Sequence, residues 1–98
     1  MGMKFIEQAI SEPITGDTCC FTGRVSHTRR HGKVAFLDVI DDTGKVQVVI
    51  EKGKCGTSFK QASHVSPGSY VAVKGKFVNN GNGGYEINAD SLEIIAPP

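Results

Sequence analysis

No run of about 20 apolar residues occurs in this 98-residue chain, so no segment reads as a membrane-spanning helix. The first residues, MGMKFIEQ, lack the basic, apolar and small-residue order of a secretory signal. Cysteine is scarce: Cys19 and Cys20 are neighbours and Cys55 stands alone. An odd number of thiols without a secretory signal points to reduced cysteines in a cytoplasmic protein. No Cys-x-x-Cys pair or paired histidine spacing suggests a zinc site, so the cysteines read as small hydrophobes in strands. A Walker-type phosphate loop, paired carboxylates and a Cys–His set at catalytic spacing are also missing. His27, His31 and His64 therefore read as loop residues rather than catalysts, and neither enzymatic activity nor a cofactor is expected. There is no internal repeat and no low-complexity tract, and the length bounds the chain to one domain.

Net charge is only +1, so bulk charge names no partner. Its distribution says more. Residues 24–33 hold Arg24, Arg29, Arg30 and Lys33, with His27 and His31 between them and no acid; Asp38, Asp41 and Asp42 follow. A local positive patch can hold an anion on a nearly neutral protein. Taken alone, the run favours the plainer reading of a solvated surface loop.

Glycines recur between short β-type runs, the spacing of a small all-β barrel or sandwich. The first strand is expected over Thr18 to His27, with Cys19, Phe21, Gly23 and Val25 on the core face and a glycine that permits a bulge or bend. Strands two and three are expected at Val34 to Ile40 and Lys45 to Ile50. Asp41-Asp42-Thr43-Gly44 joins them with hairpin-turn chemistry, Gly44 being free to take positive φ. Cys55 to Val65 reads as one or two helical turns, capped by Thr57 or Ser58 and ended by Pro67-Gly68. Strand four runs from Tyr70 to Val78. The Asn-Gly run 79–84 is a flexible loop. Strand five runs from Tyr85 to Ile95, with a break or bulge near Asp90-Ser91. Residues 1–13 form an extension in which residues 4–10 make a short helix stopped by Pro13, and 97–98 suit the start of a linker. Three strands, a short helix and two strands is the order of a five-stranded Greek-key OB-fold barrel over residues 14–96, the helix plugging one end.

On strand two, Leu37 and Val39 alternate with Phe36 and Asp38. On strand three, Val46, Val48 and Ile50 alternate with Lys45, Gln47 and Val49. Burying the aliphatic set leaves Phe36, Asp38, Lys45 and Gln47 outside. A hairpin pairing Ile40 with Lys45 sets Asp38 opposite Gln47 and Phe36 diagonal to Gln47, within reach of large side chains. An aromatic platform, an amide and nearby cations can hold one unstacked base: the ring stacks, Gln47 both donates and accepts, and Arg29, Arg30 and Lys33 meet phosphate or base. OB-folds bind oligonucleotides on this face, flanked by the first and fourth loops. Single exposed aromatics are also ordinary, so the pattern alone leaves a protein-interaction surface open.

The stretch GRVSHTRRHGKVAFLDVIDDTGKVQV resembles the anticodon-binding domain of class IIb aminoacyl-tRNA synthetases. That family's pattern is roughly G-W-V-x3-R-x2-G-x3-F-[IL]-x-L-R-D-x2-G-x-[VI]-Q-V. Gly23, Val25, Arg29, Gly32, Phe36, Leu37, Asp41, Gly44, Val46, Gln47 and Val48 match it without a gap. YVAVKGKF and GGYEINADSLEII resemble the closing strands, and the ending GGYEI looks most like asparaginyl or archaeal-type aspartyl enzymes. The resemblance implies an anticodon loop as partner. Phe36 would stack on the middle uridine shared by Asp, Asn and Lys tRNAs, Gln47 and Arg29 would recognise it, and Glu86 would lie nearby. Arg24, Arg30 and Lys33 complete the expected nucleic-acid contacts. The resemblance also implies a homodimer through a full-length parent protein, with catalysis in a separate domain. Arg24 departs from the family's tryptophan and Ile40 from its arginine. DNA polymerase III α subunits and small single-strand-binding proteins share the G-x-V…F…D…G…V skeleton. An excised synthetase domain, a free-standing binder of single strands and a protein-interaction module therefore all remain open.

Overall fold

The structure is a computed structural model that describes residues 5–11, 14–55, 59–79, 81 and 84–98. Its elements are α1 (Ile6–Ala9), β1 (Thr18–His31), β2 (Val34–Ile40), β3 (Lys45–Glu51), α2 (Phe59–Ser63), β4 (Tyr70–Asn79) and β5 (Tyr85–Ala96). The strands close into a barrel in the order β1-β2-β3-β5-β4. Its seams are antiparallel except the parallel one between β3 and β5. This is the expected OB-fold order, with the short helix between β3 and β4.

The core follows from strand alternation. Phe21 and Val25 from β1, Leu37 and Val39 from β2, Val48 and Ile50 from β3, Val71 and Val73 from β4, and Ile87 from β5 are all fully buried. Side chains of this size each gain roughly 1.5–3 kcal/mol from burial. Ala62 and Val65, on and just after α2, are buried against one end of the barrel. Cys19, Cys20 and Cys55 are free thiols. Burial, reinforced by neighbouring Cys20, pushes the Cys19 thiol up to about 11, which suits a packing residue and not a nucleophile.

β1 extends four residues beyond its expected end. It pairs with β4 over Thr18 to Arg24 and with β2 over Arg24 to His31, so one strand serves two seams. Gly23 sits where it passes closest to β2: a Cβ there would lie 2.7 Å from the Ile40 carbonyl oxygen and from a Val39 methyl. The irregularity itself falls two residues later, between Val25 and His27, with Ser26 as the extra residue. Arg29 and Arg30 therefore lie on a paired strand and not in a loop, because the hydrogen-bonded ladder continues to the His31–Val34 pair. In β5 the register steps from Lys74–Ser91 to Gly75–Ala89, so Asp90 is the bulge expected there.

The Asp41–Gly44 turn closes with the Asp41 N–H donating to the Gly44 carbonyl at 3.0 Å. Gly44 does not take the positive φ expected of it. Ile6 packs against it, a methyl lying 3.5 Å from the position a Cβ would take, which is an ordinary contact distance. The same turn caps α1 from outside the helix. Asp41 accepts the Ile6 N–H at 2.8 Å, and the Thr43 hydroxyl accepts the Glu7 N–H at 3.0 Å. α1 is shorter than the expected 4–10 helix, and its expected stop, Pro13, lies outside the described residues. So do the Thr57 and Ser58 caps and part of the 79–84 loop.

Candidate nucleic-acid interface

The outward residues of β1, β2, β3 and β5 form two adjacent rows. In the first, Arg29 pairs with Phe36, Phe36 with Val49, and Val49 with Asn88. In the second, His27 pairs with Asp38 and Asp38 with Gln47, and the Gln47 amide reaches Glu86. Phe36 and Gln47 are the diagonal neighbours expected from the hairpin. Arg29 joins them because of the Ser26 bulge. Unbroken alternation from Cys19, Phe21, Gly23 and Val25 would point residue 29 into the core, and one extra residue turns it outward.

Phe36 is half-buried. The Arg29 guanidinium carbon lies 5.1 Å from its ring centroid, a cation–π distance. His31 meets the ring edge-on at 6.1 Å between centroids. Two neighbours thus hold the ring in place, and both carry polar atoms suited to a base or a phosphate.

The Gln47 Nε2 donates to the Glu86 Oε2 at 3.4 Å. A carboxylate only accepts, so this contact sets the direction of the amide: nitrogen toward Glu86, oxygen the other way. The amide oxygen is thereby left as an acceptor. Asp38 lies beside them, 3.9 Å from the His27 ring nitrogen and 4.0 Å from the Lys45 ammonium. A cleft of about 620 Å³ runs from this face into the barrel mouth, lined by Arg29, Asp38, Lys45, Gln47 and Tyr85 among others.

The fold does not gather the remaining expected residues as closely. Arg30 pairs with Ala35, on the opposite side of β1 from Arg29, and its Nη1 lies 2.8 Å from the His64 ring. Lys33 is exposed in the β1–β2 turn, beside Gly32 with its φ of +61°. Arg24 lies five residues back along β1. It lines a separate depression with Phe5, Asp41, Asp42 and Tyr70. Sequence reasoning passed over His31 as a contact of Phe36, and over Tyr85. Tyr85 is 39% exposed at the cleft rim, its ring edge-on to Phe77 at 6.3 Å. An aromatic directly after a glycine-rich loop was the available signal for Tyr85. Among the described residues no group of three or more His, Cys, Asp or Glu side chains could hold a metal ion, and no helix is long and apolar enough to cross a membrane.

Comparison with known proteins agrees with this fold. The profile of the family described as OB-fold nucleic acid binding domain matches residues 20–95. The aspartate–tRNA(Asp/Asn) ligase of Symbiobacterium thermophilum is 33% identical over a 98-residue alignment covering 90% of this chain and 16% of that protein. The lysine–tRNA ligase of a Synechococcus species is 35% identical over 75 residues, 76% of this chain and 15% of that one. Among solved structures, asparaginyl-tRNA synthetase from Pyrococcus horikoshii, complexed with asparaginyl-adenylate, superimposes with a TM-score of 0.85 at 29% identity, covering 100% of this chain and 23% of that one. The chain thus spans about a sixth of the first of these curated relatives. On its sequence match and its barrel, the chain belongs to the tRNA anticodon-binding family of OB-fold nucleic-acid-binding domains.

Proposed function

We propose that this chain binds the anticodon loop of a tRNA of the Asp, Asn or Lys type and holds the middle uridine on Phe36. The observation that carries the reading is the Gln47 amide, oriented by Glu86 beside a ring that Arg29 and His31 flank. Uracil stacks on Phe36 with Arg29 able to close over it, since an arginine plane and an aromatic ring are both stacking partners for an unpaired base. Gln47 Oε1 accepts the uracil N3–H. Lys33 and Lys45 supply charge for the flanking phosphates. The cleft toward Tyr85 leaves room for a neighbouring anticodon base.

Within a longer synthetase this domain selects the tRNA, while amino-acid activation and subunit pairing belong to the rest of the protein. The relatives' names support this placement: each is a ligase or synthetase that acts on tRNA and is several times longer than this chain. The test is a titration of an Asn or Asp anticodon stem-loop against the same hairpin with its middle base changed. The U-centred hairpin is expected to bind more tightly. Equal affinities would leave a general single-strand binder, and no binding to either hairpin would leave a protein-interaction module.

A further inference from the structure

The anticodon reading leaves most of the protein's exposed cations unused. Arg30, Lys52, Lys54 and Lys60 are among the unused ones, and with Lys33, already assigned to a flanking phosphate, they gather, all exposed, at one end of the barrel; together they are five of the 11 lysines and arginines. The fold brings them together from three segments. The Lys52 N–H donates to the Lys33 carbonyl at 2.9 Å, tying the β3–α2 connection to the β1–β2 turn. Arg30 reaches His64, just past α2 and one turn beyond Lys60. Among the described residues, Glu51 is the acid at this end. It is already engaged by the Lys54 ammonium at 3.0 Å and by the Asn88 amide at 3.0 Å, and among the described residues neither Lys33 nor Lys52 has an ion-pair partner.

The opposite end is mixed in sign. Glu7, Asp41 and Asp42 gather around the β2–β3 turn and α1, with Arg24 in the same depression and Lys45 at the start of β3. Phe36 lies two residues from Val34, which pairs with Glu51 at the edge of the basic end; at strand rise that is about 7 Å. A hairpin whose loop sits on Phe36 and whose stem runs along β2 passes one end of that strand or the other. Toward the β2–β3 turn the stem's phosphates meet three carboxylates beside Arg24 and Lys45. Toward α2 they meet lysines.

We infer that the end of the barrel formed by the β1–β2 turn, the β3–α2 connection and α2 is a sequence-independent contact surface for the sugar–phosphate backbone of the RNA stem that closes the bound loop. The inference rests on the anticodon reading. It adds a partner surface, with Lys52, Lys54 and Lys60 as contacts, that reads no base. A-form stems are bound largely through backbone and shape, which suits a cluster of lysines.

The test compares a 5′-labelled anticodon stem-loop with its isolated seven-nucleotide loop across a salt series by fluorescence anisotropy. The proteins are wild type, Lys52→Gln, the double variant Lys52→Gln/Lys54→Gln, and Phe36→Ala, each checked by thermal melting. Each neutralised lysine is expected to weaken stem-loop binding by about threefold to tenfold at moderate salt and to flatten the log K against log salt slope by about 1. Binding of the isolated loop should not change. If both lysine variants bind the stem-loop as wild type does while Phe36→Ala weakens it, the inference falls and the anticodon reading stands. If the isolated loop weakens as much as the stem-loop, the lysines touch the loop and the stem assignment is wrong. If wild type binds neither RNA, the anticodon reading itself fails, and this inference with it.

Discussion

Phe36 is a supported platform. Arg29 and His31 fix its ring, so little side-chain freedom remains to be lost when a base lands on it. Phe36→Ala is expected to cost about 1–3 kcal/mol of binding to a U-centred stem-loop, and Phe36→Trp should retain most of the affinity; isothermal titration reads both. Glu86 is expected to act through Gln47. A glutamine at position 86 can donate as well as accept, so it no longer dictates which way the Gln47 amide points. Glu86→Gln should narrow the preference for a uracil-centred over a cytosine-centred loop while changing uracil affinity less than Phe36→Ala does. Competition between the two loops measures this, and an undiminished preference would mean that Gln47 is oriented by something other than Glu86.

At the scale of elements, the β2–β3 turn does more than reverse the chain. Burial alone would raise the Asp41 carboxyl. The Ile6 N–H, the hydroxyl and N–H of Thr43 and the Gly44 N–H outweigh that and hold it below its ordinary value of 3.8. One carboxylate thus closes the hairpin and caps α1. Asp41→Ala should destabilise the protein by about 1–2 kcal/mol near neutral pH, the range for lost caps and charged hydrogen bonds. The folded carboxyl is depressed, so its contribution is complete above the unfolded value and is lost as pH falls through the lower folded value. The stability gap between wild type and Asp41→Ala should therefore close under acid, which urea denaturation at pH 7 and in the acid range below 3.8 would show. Gly75, where β4 passes the Asp90 bulge, admits no side chain: a Cβ would lie 2.5 Å from the Asn88 carbonyl oxygen and 3.0 Å from the Ala89 Cα. Because backbone and not a flexible side chain is in the way, Gly75→Ala should cost about 1–3 kcal/mol, the usual penalty of overpacking, read as a lower midpoint of denaturation.

At the scale of the molecule, the barrel has one thin seam. β4 and β5 pair at ten positions, whereas β3 and β5 pair at Val48–Ile87 and Val49–Asn88. Two side-chain bridges reinforce that seam on its outer surface, Gln47 to Glu86 and Asn88 to Glu51, and the first belongs to the candidate base site. Hydrogen exchange should be fastest at this seam in the free protein, since local opening favours the region with fewest ladder bonds. Adding a U-centred stem-loop should slow exchange there more than along β4–β5.

The sequence by itself determined the element order, the core faces and the hairpin register. Alternation has a period of two, a four-residue turn leaves little choice of pairing, and a one-residue slip would turn Val46, Val48 and Ile50 of β3 out of the core. The juxtaposition of Phe36 and Gln47 was legible for that reason. What only the tertiary structure decided lies where non-local pairing overrides local pattern. The ladder with β2 keeps β1 extended to His31, so a basic run that reads as loop becomes strand. The bulge at Ser26 then inverts its faces, sending Arg29 to Phe36 and Arg30 to His64. No local signal marks that bulge, because it relieves a strand bending from one seam to the next. The parallel β3–β5 register, set across some 40 residues, brings Glu86 to Gln47, and the packing of α2 against the ends of β2 and β3 collects scattered lysines into one basic end.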